Sequence, residues 1–149
     1  MRKKISKRLS QKEFTDIYGK VPRLTVDVIV KSRSGIVFAK RDIEPWKGKW
    51  HIPGGTVRLN ERMEEAAVRI MLEETGLLVT VGRLLGAIEY LYDKNHIHNH
   101  SVSVVFLASL RKGVLRGSPF GREVQFFRRM PKNIISVQKD FLKEHKFLE

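Results

Sequence analysis

Glu73 and Glu74 stand side by side in a chain of 149 residues that is otherwise strongly basic, with 29 Lys and Arg against 16 Asp and Glu and a net charge of +13. Five of those sixteen acids, Glu61, Glu64, Glu65, Glu73 and Glu74, fall between positions 61 and 74. A local inversion of charge in a basic field marks a place that can hold a cation. The segment reads as a helix: Asn60 is a favoured N-cap residue, Glu61 suits the positive end of the dipole, and Gly76 suits the left-handed position after the last turn. At about 100° per residue, Met63, Ala66, Ala67, Ile70 and Leu77 share one side with Glu73 and Glu74. Carboxylates on an apolar face need a partner. Arg69, a cationic group elsewhere in the chain, or a metal ion would each serve.

The elements around this helix must form a scaffold without disulfides, because the chain contains no Cys. Absence of Cys also removes thiolate metal sites and a Cys nucleophile, and fits a cytoplasmic protein. No apolar run approaches the length of a membrane span, and the basic N-terminus lacks the apolar core of an export signal. Residues 1–8 read as a basic tail and 9–149 as a single domain, large enough to bury a core. Ser10-Gln11-Lys12-Glu13 has the form of a capping box opening a short helix with Phe14, Ile17 and Tyr18 on one side. Leu24–Val30 and Ile36–Ala39 predict a hairpin around Lys31–Gly35. Trp50–Ile52 predicts a short strand ending at Pro53-Gly54-Gly55. Leu77–Tyr92 predicts one or two strands broken near Gly82 or Gly86. Val102–Leu110 and Val124–Phe127 predict further strands, and Ser136 caps a last helix carrying Phe141, Leu142 and Phe147.

The run from Gly55 through Glu61 and Arg69 to Glu73-Glu74, Gly76 and Leu77 resembles the signature of the Nudix hydrolase family. That signature spaces Gly, Glu, Arg, Glu-Glu and Gly as they stand here. One position departs from it: the Glu that follows the Arg is Ile70. The resemblance implies an α/β fold, an α/β/α sandwich around a mixed β-sheet with its loop and helix at residues 55–77. It also implies a hydrolase for a nucleoside diphosphate linked to another moiety. The cofactor would be Mg²⁺, with Mn²⁺ as an alternative, held by the Gly54 carbonyl, Glu73 and Glu74. Arg69 would orient the carboxylates, with Glu61 as its partner. Hard oxygen donors of this kind suit Mg²⁺, which fills its octahedron with water and phosphate oxygens.

Beyond the signature, Leu9–Phe14, Pro22–Val30, Lys40-Arg41 and Gly48–Gly55 look like the GDP-mannose mannosyl hydrolase branch, whose members also carry an aliphatic residue directly after the signature Arg. That resemblance assigns Asp27 and Arg41 to the substrate and lets Phe14 either stack on a base or pack the first helix. The branch has Arg directly after the two glycines. This chain has Thr56, with Arg58 as a possible replacement. Where the branch has a late Gln-His pair, Phe120-Gly121 stand here, leaving Glu123 as the nearest acid for a base or ligand. The substrate, the choice of P–O or C–O cleavage and the base therefore stay open. A non-catalytic nucleotide-binding domain is the alternative that Ile70 suggests.

His96, His98 and His100 alternate and would align on one side of a strand, as metal ligands, as substrate or proton-transfer groups, or as a polar hairpin. Trp46 and Trp50 could stack on a base, with core packing as the plainer role for Trp50. A nucleotide-type small molecule is the expected partner, without a membrane. RNA binding would rest on net charge alone, and a homodimer stays open.

Overall fold

The computed structural model describes residues 4–91 and 100–148, so His96 and His98 lie outside the described residues. Ten elements follow one another: α1 (Gln11–Tyr18), β1 (Arg23–Ser32), β2 (Gly35–Lys40), β3 (Trp50–His51), β4 (Gly54–Thr56), α2 (Met63–Thr75), β5 (Leu77–Tyr90), β6 (Ser101–Gly113), β7 (Val124–Phe127) and α3 (Ser136–Glu144). The strands form one mixed sheet in the order β3-β2-β1-β6-β5, with β4 added to β1 and β7 added to β2. β1 is central. It runs parallel to β6 from Arg23↔Ser101 to Lys31↔Ser109 and antiparallel to both β2 and β4. The register Thr25↔Thr56, Val26↔Gly55 and Asp27↔Gly54 lays the glycine turn against its first half.

Alternation along β1 divides the core into two layers, because successive strand side chains point to opposite faces. Val26, Val28 and Val30 pack with Val37, Ala66, Ala67, Ile70 and Met71 beneath α2. Ile29 packs with Phe38, Ile52, Ile88, Phe141 and Leu142 beneath α3. The two alanines let α2 approach the sheet closely. The α/β/α sandwich around a mixed sheet is therefore present.

The capping box of α1 is formed: Ser10 Oγ accepts from the Glu13 amide at 3.2 Å, and Glu13 accepts from the Ser10 amide at 2.9 Å. The α2 start differs from expectation. Arg62 occupies the N-cap and its amide donates to Glu65 at 3.0 Å, whereas Asn60 sits at φ 67°. Asn tolerates that left-handed conformation, so it shapes the turn before the helix instead of capping it. Likewise Ile135, not Ser136, is the N-cap of α3. β5 is one continuous strand whose register shifts at Val81/Leu84 and Leu84/Gly86, so the two glycines mark bulges within it and not a break.

Residues 4–8 do not hang free. Ser6 exchanges two hydrogen bonds with Leu59, at 3.0 and 3.1 Å, and Asn60 Nδ2 donates to the Lys4 carbonyl at 3.3 Å. The Arg8 guanidinium lies 4.6 Å from the centre of the Phe120 ring.

Candidate active site at the glycine corner

The Pro53-Gly54-Gly55 segment meets α2 at a corner where every residue type is dictated by a neighbour. A side chain on Gly54 would collide with the Asp27 carboxylate, 2.0 Å from the added carbon. On Gly55 the added carbon would stand 3.3 Å from Ile70. Ile70 itself is 2% exposed and belongs to the core beneath α2. At this position the chain has exchanged a polar group for packing against the glycine backbone, and Ile70 offers no ligand.

Arg69 is the organiser. Its Nε and Nη2 donate to the two oxygens of Glu61 at 2.7 and 2.8 Å, a bidentate pair, while Nη2 also donates to the Thr56 carbonyl at 2.9 Å. Nη1 reaches Glu73 at 3.2 Å. The Glu61 side chain is 3% exposed. Burial works to raise its pKa, yet hydrogen bonds from Arg69 and the Arg58 amide hold it below the ordinary carboxylate value. Thus Arg69 and Glu61 fasten the loop to the helix.

Glu73 and Glu74 separate in role. Both were expected on the inward face, but Glu73 is half exposed, paired with Arg69 and, at 3.7 Å, with Arg58. One step of about 100° carries it to the rim. Glu74 points in, and its carboxylate accepts from the Gly54 amide. Burial pushes Glu74 up to about 8, and the charges of Asp27 and Glu73 add to the rise, against the pull of Arg41 and of that amide. Asp27 is 6% exposed and accepts from the Tyr90 hydroxyl at 2.8 Å; burial pushes it up to about 6. Tyr90 in turn accepts from Gln138 at 2.7 Å, and Gln138 accepts from the Ile52 amide at 2.7 Å. That chain of hydrogen bonds ties the site to α3.

Acidic side chains drawn toward one another in poorly hydrated surroundings, with Asp27 and Glu74 pushed upward, form an electrostatic demand for a cation. The donors suit a hard ion: the Glu73 and Glu74 oxygens and the Gly54 carbonyl would hold it. No cluster of three or more His, Cys, Asp or Glu ligands is present among the described residues. A donor set of this kind suits a hard divalent ion that completes its shell with water and phosphate oxygens.

The expected substrate residues divide. Arg41 lies beside Glu74, its pKa lowered by burial and supported by that carboxylate, and its Nε donates to the Pro45 carbonyl. Arg58 is committed to Glu73. Phe14 is half-buried, edge-on to Tyr18 at 4.9 Å between ring centres. Glu123 is not brought to the acidic corner by any contact among the described residues; its carboxylate pairs with Lys40 at 3.5 Å and is half exposed. The reason is strand register, since the Lys40 amide donates to the Glu123 carbonyl and sets the two side chains together. His100 is exposed. Trp50 packs edge-on against Phe127, while Trp46 lies 5.9 Å from Tyr90. Tyr90 and Arg23 were not singled out from sequence. Only the alternation Arg23, Thr25, Asp27 along β1, a charged residue in step with a buried acid, signals the second.

A helix-borne pair of acids against a glycine turn, beside an arginine, on a mixed sheet between helices, is an arrangement that can hold a divalent cation next to an anionic substrate. A family model described as NUDIX domain matches residues 21–148, and the chain belongs to that family as a Nudix hydrolase. Members generally use divalent metal ions. The chain is 33% identical over 107 residues, 69% of each protein, to the low-salt glycan biosynthesis protein Agl8 of Haloferax volcanii. It is 37% identical over 106 residues, 71% of this chain and 62% of the relative, to an ADP-ribose pyrophosphatase of Methanocaldococcus jannaschii. A MutT NUDIX hydrolase structure from Burkholderia pseudomallei superposes with a TM-score of 0.71 at 26% identity, covering 83% of this chain and 97% of that one.

Proposed function

We propose that the protein hydrolyses a nucleoside diphosphate joined to a sugar, with Mg²⁺ or Mn²⁺ held by Glu73, Glu74 and the Gly54 carbonyl. Residues 9–149 act as one domain in the cytoplasm. The observation that carries this reading is Glu74, an inward carboxylate raised to about 8 beside Asp27 and Glu73 and facing Arg41. A bound cation would neutralise the diphosphate and stabilise the charge that develops on the leaving group. Arg69 holds both Glu61 and Glu73 in place, and Arg41 presents a fixed positive charge to the anion. Glu123 stays a candidate base from the loop beside Arg41, with Lys40 as its present partner. The two archaeal relatives support a common substrate class: ADP-ribose is a nucleoside diphosphate linked to a sugar, and glycan assembly draws on activated sugars.

A panel of ADP-ribose, nucleotide sugars, dinucleotides and nucleoside triphosphates, incubated with Mg²⁺ or Mn²⁺ in oxygen-18 water, tests the reading. Turnover of the sugar-linked diphosphates is the expected result, and label in phosphate or in the sugar reports P–O or C–O cleavage. The burial of Ile70 favours one rival, a nucleotide-binding domain without catalysis. Binding across the panel with no turnover would establish that rival.

A further inference from the structure

Arg23 opens β1, two positions before Thr25 and four before Asp27, so all three side chains project from one face of the strand. Thr25 pairs with Thr56 and Asp27 with Gly54, so the row Arg23–Thr25–Asp27 runs beside the row Thr56–Gly54 and ends at the glycine corner. The Arg23 side chain leans back toward that corner: its Nη1 donates to Thr56 Oγ1 at 3.3 Å, a long bond to a neutral partner. Its guanidinium stands 5.1 Å from the centre of the Phe14 ring. The Nε is shielded from solvent and has no hydrogen-bond partner. Among the described residues no carboxylate stands within ion-pair distance of it, although Asp27 is close enough to attract it and Arg41 close enough to repel it.

Such an arrangement is costly by itself. A guanidinium carries five donors in a planar fork and stays charged, and a donor shielded from water without a partner is rare in a folded protein. Here the Arg23 fork lies between Thr56, which adjoins the glycine corner, and the half-buried Phe14 ring. An anion with several oxygens would satisfy the free donors of Arg23. A phosphate group has that geometry.

We infer that Arg23 is a substrate-binding residue, which with Arg41 grips the diphosphate of the substrate alongside the cation corner. The inference rests on the hydrolase reading above and deepens it. The two arginines have separate roles. Arg41, beside Glu74, acts where the charge develops, and Arg23, at the start of β1, holds the phosphate of the diphosphate that lies away from the bond being broken. Arg23 therefore sets affinity, and Thr56 Oγ1 aims its fork.

The test is Arg23→Gln, with Arg23→Lys as the conservative variant, read by three measurements. Affinity for inorganic pyrophosphate in metal-free buffer is expected to weaken about tenfold in Arg23→Gln and less in Arg23→Lys, which keeps the charge and loses the fork. With the best substrate of the panel, KM is expected to rise about tenfold and kcat to stay within about threefold, the pattern of lost uniform binding. The Tm without ligand is expected to be equal or higher, since a charged group with a shielded, unsatisfied Nε is removed; a merely structural arginine would lower it. Pyrophosphate affinity unchanged within twofold in both variants would overturn the assignment. Because that titration needs no turnover, an inactive wild-type protein would sink the hydrolase reading while leaving Arg23 tested.

Discussion

Glu74 concentrates the conflict between folding and function in one side chain. Its carboxylate is drawn out of water toward Asp27, and its pKa of about 8 means that half of it is protonated at mildly alkaline pH without a cation. Glu74→Gln keeps the shape, removes the charge and should leave the fold intact or firmer. The expected outcome is a loss of about 10²–10³ in kcat, the magnitude typical of deleting a group that stabilises transition-state charge, with no fall in metal-free Tm. Rates near wild type in a steady-state assay would remove Glu74 from the metal site. Most of this corner was legible in the sequence, because spacing along a helix decides which residues share a face. What was not legible is the split between Glu73 and Glu74, since adjacent helical positions differ by about 100° and only the packing of α2 decides which one turns inward. Arg23 escaped for another reason. It lies outside any spaced motif, and its significance comes from Thr56, brought beside it by the pairing of β1 with β4.

Between the glycine corner and α2, the loop of residues 57–62 is fastened to the helix by the buried Arg69–Glu61 pair, with the more exposed Arg58–Glu73 pair and the Ser6–Leu59 bonds beside it. Arg69 makes two bonds to Glu61, one to the Thr56 carbonyl and one to Glu73, so a single guanidinium joins β4, the loop and the helix. Glu61→Gln would leave Arg69 half-satisfied in a site where Glu61 is 3% exposed. Breaking a buried pair costs about 3–5 kcal/mol; because Arg69 keeps Thr56 and Glu73, about 2–3 kcal/mol is expected, read as a lower midpoint in urea unfolding. Activity should fall with it, since the loop carries Arg58 and follows directly on Thr56 of β4. An unchanged midpoint would mean that the glycine turn and the packing of Ile70 hold the loop without the pair. Strand and helix positions were largely readable from alternation and capping chemistry, including the α1 capping box and the hairpin of β1 and β2. The start of α2 was misplaced because a polar residue before a helix also serves a turn, as Asn60 does at φ 67°.

Across the whole molecule, one titratable group opposes acid more than its neighbours do. His51 on β3 is 9% exposed, with its Nδ1 2.9 Å from the Ile52 carbonyl. Burial, reinforced by the charge of Arg41, pushes its pKa down to about 3 from 6.5. The unfolded chain protonates this imidazole below pH 6.5 while the folded chain does not. Its contribution is therefore fully present above pH 6.5 and is lost as pH falls from there toward 3, at up to about 1.4 kcal/mol per pH unit. Asp27 and Glu74 act in the opposite sense, because their raised values make the fold bind protons earlier, so the pH dependence of the wild type is a partial cancellation. Replacing His51 with Gln, which retains an amide donor for the Ile52 carbonyl, isolates one side of it. Between pH 6 and pH 4.5 the stability of His51→Gln should fall less than that of the wild type, or rise, because the folded chain holds protons on Glu74 and Asp27 that the unfolded chain has not yet bound. Parallel curves for the two proteins in urea titrations at each pH would show that His51 is protonated in the folded state and that the sheet edge at β3 opens to admit water.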